Sequence, residues 1–151
     1  MANRSFQRLQ ALDKEIKIIH GQFAVGTTGA PTLSESKSVG VQSVTRNSAG
    51  DYSIVLGVPS GKVDKYSHFF GGYFDIQKAS ALGGTTGGMS FQLKGAPTVS
   101  TDGTINFMAL DKNGAAAELG TSETIHFMFV LKNSALPGVG VLGVNHDYDG
   151  S

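Results

Sequence analysis

The sequence predicts an all-β protein: a β-sandwich or small barrel of about seven antiparallel strands, with a short N-terminal helix and an extended C-terminal arm. Three observations lead to this fold class. Short segments alternate apolar and polar residues, clusters of Gly, Asn and Asp separate them, and no helical pattern lies between them. The predicted boundaries are 1–15 for an N-terminal helix or arm, 16–134 for the sandwich and 135–151 for the C-terminal arm.

The first segment has the spacing of a helix. Apolar residues recur at spacings of three and four, which places them on one face of a helix: Phe6, Leu9, Leu12, Ile16 and Ile19. The helix is predicted over about residues 4–14. The spacing then changes to a strict alternation of apolar residues that continues to about Val25, as is typical of a half-buried strand.

The middle of the chain alternates with a period of two and is divided by turns. Clusters of turn-forming residues at 47–51, 59–61 and 111–114 end individual strands. We expect the strands after the first in the following segments: 39–42, 52–58, 66–76, 89–94, 105–109 and 123–132.

One of these strands is aromatic on both sides. Phe70 and Phe74 are expected on the core side, and Phe69 and Tyr73 on the opposite side. The glycine pair at 71–72 suggests a bend or a bulge. Either the strand is buried on both sides within the domain, or its second face marks an interface.

The last strand and the residues after it are unusually apolar. The strand at 123–132 is apolar on both faces apart from His126, so it should be central in its sheet or covered twice. The arm at 135–151 is either a floppy terminus or a segment that docks on a neighbouring subunit. The residues predicted to form interfaces are Phe6, Leu9, Leu12, Phe69, Tyr73, Val139, Val141, Leu142 and Val144.

Composition narrows the functional classes. The chain has 151 residues with twelve Lys and Arg against twelve Asp and Glu, so no net field favours nucleic acid or an anionic membrane. Charged residues make up 16%, below the roughly 25% of an ordinary soluble domain, and the 21 glycines are about twice the usual share. A weakly charged, Gly-rich surface suits a protein that is packed against neighbours. We expect neither a nucleic-acid nor a membrane partner.

The candidate motifs for catalysis and for cofactor binding in this sequence each lack a feature that the chemistry requires. The lack of Cys excludes thiolate catalysis and Cys-based metal sites. Residues 138–143 match the Gly-x-Gly-x-x-Gly fingerprint, but no helical pattern follows them to hold a pyrophosphate. His20, His68, His126 and His146 lie in different predicted elements and not at metal-ligand spacing. We therefore expect no catalytic, cofactor-binding or metal-binding residues and no enzyme.

Two parts of the chain share a pattern with a known group of proteins. A Gly-Ala-Pro turn at 29–31 precedes a Ser/Thr/Arg strand and a Gly-Tyr hairpin, and an apolar closing strand ends in Lys-Asn-Ser at 132–134. Over roughly residues 16–134 the chain resembles the small virion proteins of tailed bacteriophages, especially capsid decoration (cement) proteins. The stretches that carry the resemblance are 26–33, 40–46, 49–56, 102–105, 113–116 and 125–134.

The resemblance implies a structural function on the outside of a bacteriophage capsid. The chain would bind between major capsid protein subunits, and a module that binds only the assembled shell stabilises it by mass action. Its partners would be the major capsid protein and itself, as a homotrimer or homodimer. The polar start of the sequence indicates no signal peptide, so the chain would be made in the host bacterial cytoplasm and located on the virion.

Two other functional classes remain open at this stage. A head- or tail-fibre component that binds a host-surface receptor or glycan would have the same β-rich composition. Its binding pocket would be expected near the loops at 83–88 or 66–73. A small β-fold enzyme is the third class, which the missing catalytic motifs disfavour.

Overall fold

The described residues fold into eight β-strands. The computed structural model describes residues 16–78 and 88–132. The strands are β1 (Ile16–Val25), β2 (Pro31–Leu33), β3 (Val41–Ser48), β4 (Asp51–Leu56), β5 (His68–Gln77), β6 (Ser90–Leu93), β7 (Thr104–Leu110) and β8 (Thr124–Lys132).

The strands form two four-stranded sheets with antiparallel neighbours throughout. Sheet I has the order β2-β1-β8-β5, and sheet II has the order β3-β4-β7-β6. The prediction of an all-β fold is confirmed. The last strand of the chain lies between β1 and β5, so its expected central position is confirmed as well.

Alternation of apolar residues explains why these segments form strands with one buried side. Tyr52, Ile54 and Leu56 of β4 are fully buried, whereas the intervening side chains point to the outer face of sheet II. In β7, Ile105 and Phe107 alternate in the same way with partly exposed residues. Because successive side chains of a strand point to opposite faces, each sheet has one face available for a common core.

Aromatic rings from both sheets meet in that core, so the fold is a sandwich. Phe23 of sheet I lies 6.1 Å from Tyr52 and 6.4 Å from Phe107 of sheet II, measured between ring centroids. Phe74 of sheet I lies 4.5 Å from Phe107 and 5.1 Å from Phe91. Rings at these separations contribute beyond the apolar area that they bury.

A polar cluster anchors one part of the core to the loops. Arg46 donates two hydrogen bonds to the carboxylate of Glu118, at 2.9 and 2.6 Å. The hydroxyl of Tyr52 lies 3.1 Å from Glu118 Oε1 and 3.0 Å from the carbonyl oxygen of Gly29. Burial is the main cause that raises the pKa of Tyr52, so its hydroxyl keeps its proton and donates.

Three details differ from the expectations or lie beyond the described residues. β2 is an additional strand, in a place where the sequence predicted only a turn. It pairs with β1 over three residues, from Phe23↔Leu33 to Val25↔Pro31. The predicted helix at 4–14 and the predicted arm at 135–151 lie outside the described residues. The structure therefore gives no support to the helix.

The aromatic strand has the expected bulge, but two of its side chains lie opposite to the prediction. The pairing of β5 with β8 shifts between Phe69 and Gly71, which leaves Phe70 as the extra residue. Phe69 packs against Phe129 in the core, at 5.9 Å between ring centroids, and Phe70 is exposed. The prediction of Phe69 outside and Phe70 inside is therefore wrong, because a bulge inserts one residue and changes the alternation.

Candidate interaction surface

The outer side of sheet I carries a group of exposed apolar side chains, which we call the apolar face. Strand register brings these residues into neighbouring rows: Met128 of β8 is opposite Tyr73 of β5 and, on its other side, His20 of β1. Two residues along β8, Val130 is opposite Ile18 on one side and the bulge of β5 on the other. The apolar face consists of Ile16, Ile18, Val39, Phe70, Tyr73 and Met128.

These side chains are more exposed than large apolar groups normally are. Ile18 is 55% exposed, Phe70 58%, Tyr73 53% and Met128 41%. Val39 joins the surface because its N–H donates to the carbonyl oxygen of His20, at 2.8 Å, in an isolated bridge beside β1. Single exposed apolar residues are normal, whereas groups of exposed apolar side chains are typical of interaction sites.

The apolar character is limited to one end of the sheet. The next row towards the opposite end contains Gln22, His126 and Asp75. His126 Nε2 lies 3.0 Å from the side-chain oxygen of Gln77, within hydrogen-bond distance. A partner that covers the apolar face would therefore meet a polar border at this end, as the rims of protein interfaces do.

Tyr73 stands at the boundary between the two ends. Partial desolvation by its neighbours, followed by the negative charge of Asp75 and a hydrogen bond to it, raises the pKa of Tyr73. The phenol therefore stays protonated at neutral pH and can donate a hydrogen bond, while its ring offers apolar contact. Tyrosine is enriched in interfaces for this combination of properties.

A cavity of about 690 Å³ lies beside this surface, where the two sheets end. Its walls come from β5, including Gly72, Phe74 and Ile76, and from β6 and the two residues before it, including Met89 and Phe91. A Cβ atom at Gly72 would lie 2.6 Å from the ring of Phe129, so this close approach requires glycine. The polar groups at the cavity are Asp75, Lys78 and Ser90.

Potential metal ligands are not grouped together in the described residues. Within 16–78 and 88–132, no three His, Asp or Glu side chains are grouped so that they could hold a metal ion. The most organised polar groups, around Glu118 and Asp51, are engaged in ion pairs with Arg46 and Lys94.

The structure places only two of the residues that the sequence predicted for interfaces. Tyr73 lies on the outer face as expected, and Phe69 lies against the core. The others fall outside the described residues, and their part in an interface stays a prediction: Phe6, Leu9, Leu12, Val139, Val141, Leu142 and Val144.

Sequence reasoning missed most of the apolar face. Ile16 and Ile18 were not selected, because Ile16 also fitted the helical spacing that precedes β1. Met128 was noted only as part of a strand that is apolar on both faces. That two-sided pattern was the available signal, since β8 has no cover on its outer side among the described residues.

Comparison of the chain with family models, with curated proteins and with solved structures found no match. In the described part of the chain, no helix is long and apolar enough to cross a membrane.

Proposed function

We propose that this protein is a structural virion component that decorates and stabilises the outside of a bacteriophage capsid by binding between major capsid protein subunits. The observation that carries the proposal is the apolar face of sheet I, which is exposed on a closely packed β-sandwich. A rigid scaffold loses little conformational entropy on binding, so its apolar contacts are converted efficiently into affinity.

Three further features support the proposal. The resemblance over residues 16–134 is to capsid decoration proteins, and equal numbers of acidic and basic residues avoid repulsion between closely spaced copies. Many identical sites on a shell make weak individual contacts effective. Self-association as a homotrimer or homodimer at symmetry points of the shell, and an extended C-terminal arm that adds contacts, belong to the same proposal.

Copy number tests this proposal most simply. Quantitative mass spectrometry on particles purified from the source of the chain should find it in numbers comparable with the major capsid protein. A few copies per particle would contradict decoration and favour a fibre or tail component. Complete absence from particles would reject a virion role.

The cavity supports a second candidate, a head- or tail-fibre component that binds a host-surface receptor or glycan. Tyr73 and Phe91 offer ring surfaces there, and Asp75 and Ser90 offer hydrogen-bonding groups. Glycan array binding that is lost in Asp75→Ala but kept in Asp111→Ala would favour this candidate. Asp111 is a suitable control because it lies in a turn and accepts hydrogen bonds from the backbone N–H groups of Asn113 and Ala115.

A further inference from the structure

The edge of sheet I at β5 differs from the other three sheet edges. β2 has three residues and begins with Pro31, and β6 has four residues. β3 is interrupted by two register shifts and carries Arg46. Short length, proline, bulges and charge are the means by which proteins protect a sheet edge from further pairing.

β5 lacks most of this protection. It is ten residues long, and its bulge lies near its start, so the stretch from Gly71 to Gln77 keeps a regular register with β8. Asp75 is its one acidic or basic residue apart from His68. Among the described residues, β8 is the one strand that pairs with β5, so the backbone groups along the other side of β5 can accept a further strand.

The side chains of β5 that point towards the core are incompletely covered. Phe74 and Ile76 are only partly buried, although the ring of Phe74 packs against Phe107 at 4.5 Å between centroids. In the neighbouring strand β8, the core-facing residues Ile125 and Phe127 are at most 2% exposed. A strand added beside β5 would cover more of the apolar area of Phe74 and Ile76, and burial of apolar area favours association.

The sequence of this stretch is complementary to itself. Two copies of residues 71–77 can pair antiparallel about Phe74, the middle residue. The opposed pairs are then Gly71 with Gln77, Gly72 with Ile76, Tyr73 with Asp75, and Phe74 with its own copy. In the first two pairs a glycine faces a larger side chain, and no atom lies within 4 Å of the Cβ position at Gly71. Small residues therefore leave room for large ones in this register.

The charge of the stretch also fits pairing with a second copy. Asp75 would face Tyr73, whose hydroxyl can donate a hydrogen bond to a carboxylate. Like charges that face each other directly are destabilising, and this register keeps the two copies of Asp75 from facing each other. These matches favour a second copy of this chain as the partner of the edge.

We infer that two copies of this chain form a homodimer by antiparallel pairing of β5 with β5 across a twofold axis at Phe74. The two four-stranded sheets join into one continuous sheet. Because facing residues of paired strands point to the same side, the two apolar faces lie side by side on one surface of the joined sheet. The inference specifies the self-association that belongs to the proposed function, but it concerns the isolated chain and holds with or without capsid binding.

Sedimentation equilibrium of the purified full chain tests the inference. The wild-type protein should change from monomer to dimer within a concentration range of about 1–500 µM. Tyr73→Asp places a carboxylate opposite Asp75 of the second copy, whereas Tyr73→Lys places a cation there, and the pair occurs twice in the symmetric dimer. Tyr73→Lys should therefore dimerise at least about tenfold more tightly than Tyr73→Asp. Both substitutions are expected to fold, since Tyr73 is 53% exposed.

Met128→Asp is the matched control. Met128 lies on the same outer face, directly opposite Tyr73, but in β8 and so one strand further from the edge. It should leave the dissociation constant of the dimer unchanged. Dimerisation that is lost in Met128→Asp and kept in Tyr73→Asp would overturn the inference, because the copies would then pack through their apolar faces. Equal dissociation constants for the two Tyr73 variants, or a monomer or trimer at every concentration, would overturn it as well.

Amide hydrogen exchange of the wild-type chain provides a test that needs no variant. The N–H groups of β5 that point away from β8 should become protected as the protein concentration rises, whereas the amides of β7 should not change. Protection that is already complete at the lowest concentration would mean that the chain covers this edge itself. No protection at any concentration would mean that the edge stays unpaired. Either result would overturn the inference.

Comparison with capsid binding separates this inference from the proposed function. A chain that stays monomeric and still binds capsid shells would reject the dimer and leave decoration intact. A chain that dimerises through β5 and binds no shell would support the dimer and contradict decoration.

Discussion

The outer faces of the two sheets differ in their side chains. Sheet II carries polar side chains that bond to one another, whereas sheet I carries exposed apolar side chains. On sheet II, the hydroxyl of Ser53 donates to Asn106 at 2.6 Å and accepts a hydrogen bond from Asn47 at 2.7 Å. Nearby, Asp51 is paired with Lys94. On sheet I, the corresponding positions carry Ile18, Met128 and other apolar groups with exposures of 41% or more.

This difference separates folding from binding within one small domain. The polar residues on the outer face of sheet II complete their hydrogen bonds with one another. The outer face of sheet I gains free energy only when something covers it. Both sheets contribute equally to the core. Variants in the core and on each outer face can therefore separate effects on stability from effects on binding.

The largest effect should come from the core that the sheets share. Phe127 of sheet I is 2% exposed and contacts three other aromatic rings. Phe127→Ala should lower the free energy of unfolding by about 3–5 kcal/mol, because a large cavity replaces the ring. Urea denaturation of the isolated protein measures this, and a loss below about 1 kcal/mol would mean that the shared core is assigned incorrectly.

A smaller loss is expected at the polar cluster that ties sheet II to the loops. Gly29 has a φ of +71°, and a Cβ there would lie 1.7 Å from Glu118 Oε1. Gly95 has the same φ of +71° with no atom within 4 Å of its Cβ position, so it is a matched control. Gly95→Ala should cost about 1–2 kcal/mol from the backbone conformation alone.

Gly29→Ala should cost at least about 1 kcal/mol more, because it also displaces the carboxylate that Arg46 and Tyr52 bind. Denaturation midpoints of the two variants give the comparison. Equal losses would show that the cluster around Glu118 contributes nothing to stability.

Acid should lower the free energy of unfolding by weakening the ion pairs of Asp51 and Glu118, and it should leave the apolar face unaffected. A hydrogen bond from Lys94 is the largest cause that lowers the pKa of Asp51 below 3.8, and one from Arg46 lowers the pKa of Glu118 below 4.5. Because the folded pKa of each lies below the unfolded one, the stabilisation is complete above about pH 5 and is lost as the pH falls through the folded values.

Unfolding measured between pH 7 and pH 3 should show this loss, and Asp51→Asn should reduce it. Exposure of both ion pairs to solvent makes the effect modest. An unchanged pH profile in Asp51→Asn would contradict the role given to its pairing with Lys94.

The smallest effect on stability is expected on the apolar face. Ile18 is 55% exposed and Val58, in a turn elsewhere, is 58% exposed, so Ile18→Ser and Val58→Ser are a matched pair. Each should change the free energy of unfolding by less than about 0.5 kcal/mol, as surface substitutions usually do. A large loss in Ile18→Ser alone, measured by urea denaturation, would mean that Ile18 is part of the folded core.

The sequence allowed the fold class to be predicted because most strands obey a simple rule. β4 and β7 alternate without interruption, and turns of Gly, Asn and Asp mark their ends. β2 was missed because three residues beginning with Pro31 cannot show a period. Phe69 and Phe70 were exchanged because the glycines at 71–72 signal a bulge without fixing which residue is extra.

The candidate surface was harder to predict than the core. Whether an apolar strand is buried on one side or on two depends on which elements lie above it, and periodicity contains no such information. The row that joins His20, Met128 and Tyr73 also depends on strand register. Register is a tertiary property, so a local sequence pattern cannot bring these three residues together.

Binding of the two matched serine variants to capsid shells tests the central claim most directly. Shells that lack the chain would be incubated with wild-type protein, Ile18→Ser or Val58→Ser, and the bound fraction measured at several concentrations. We predict an affinity loss of about tenfold, or about 1.4 kcal/mol, for Ile18→Ser and none for Val58→Ser. Equal binding of all three proteins would contradict the claim that the apolar face of sheet I is the docking surface.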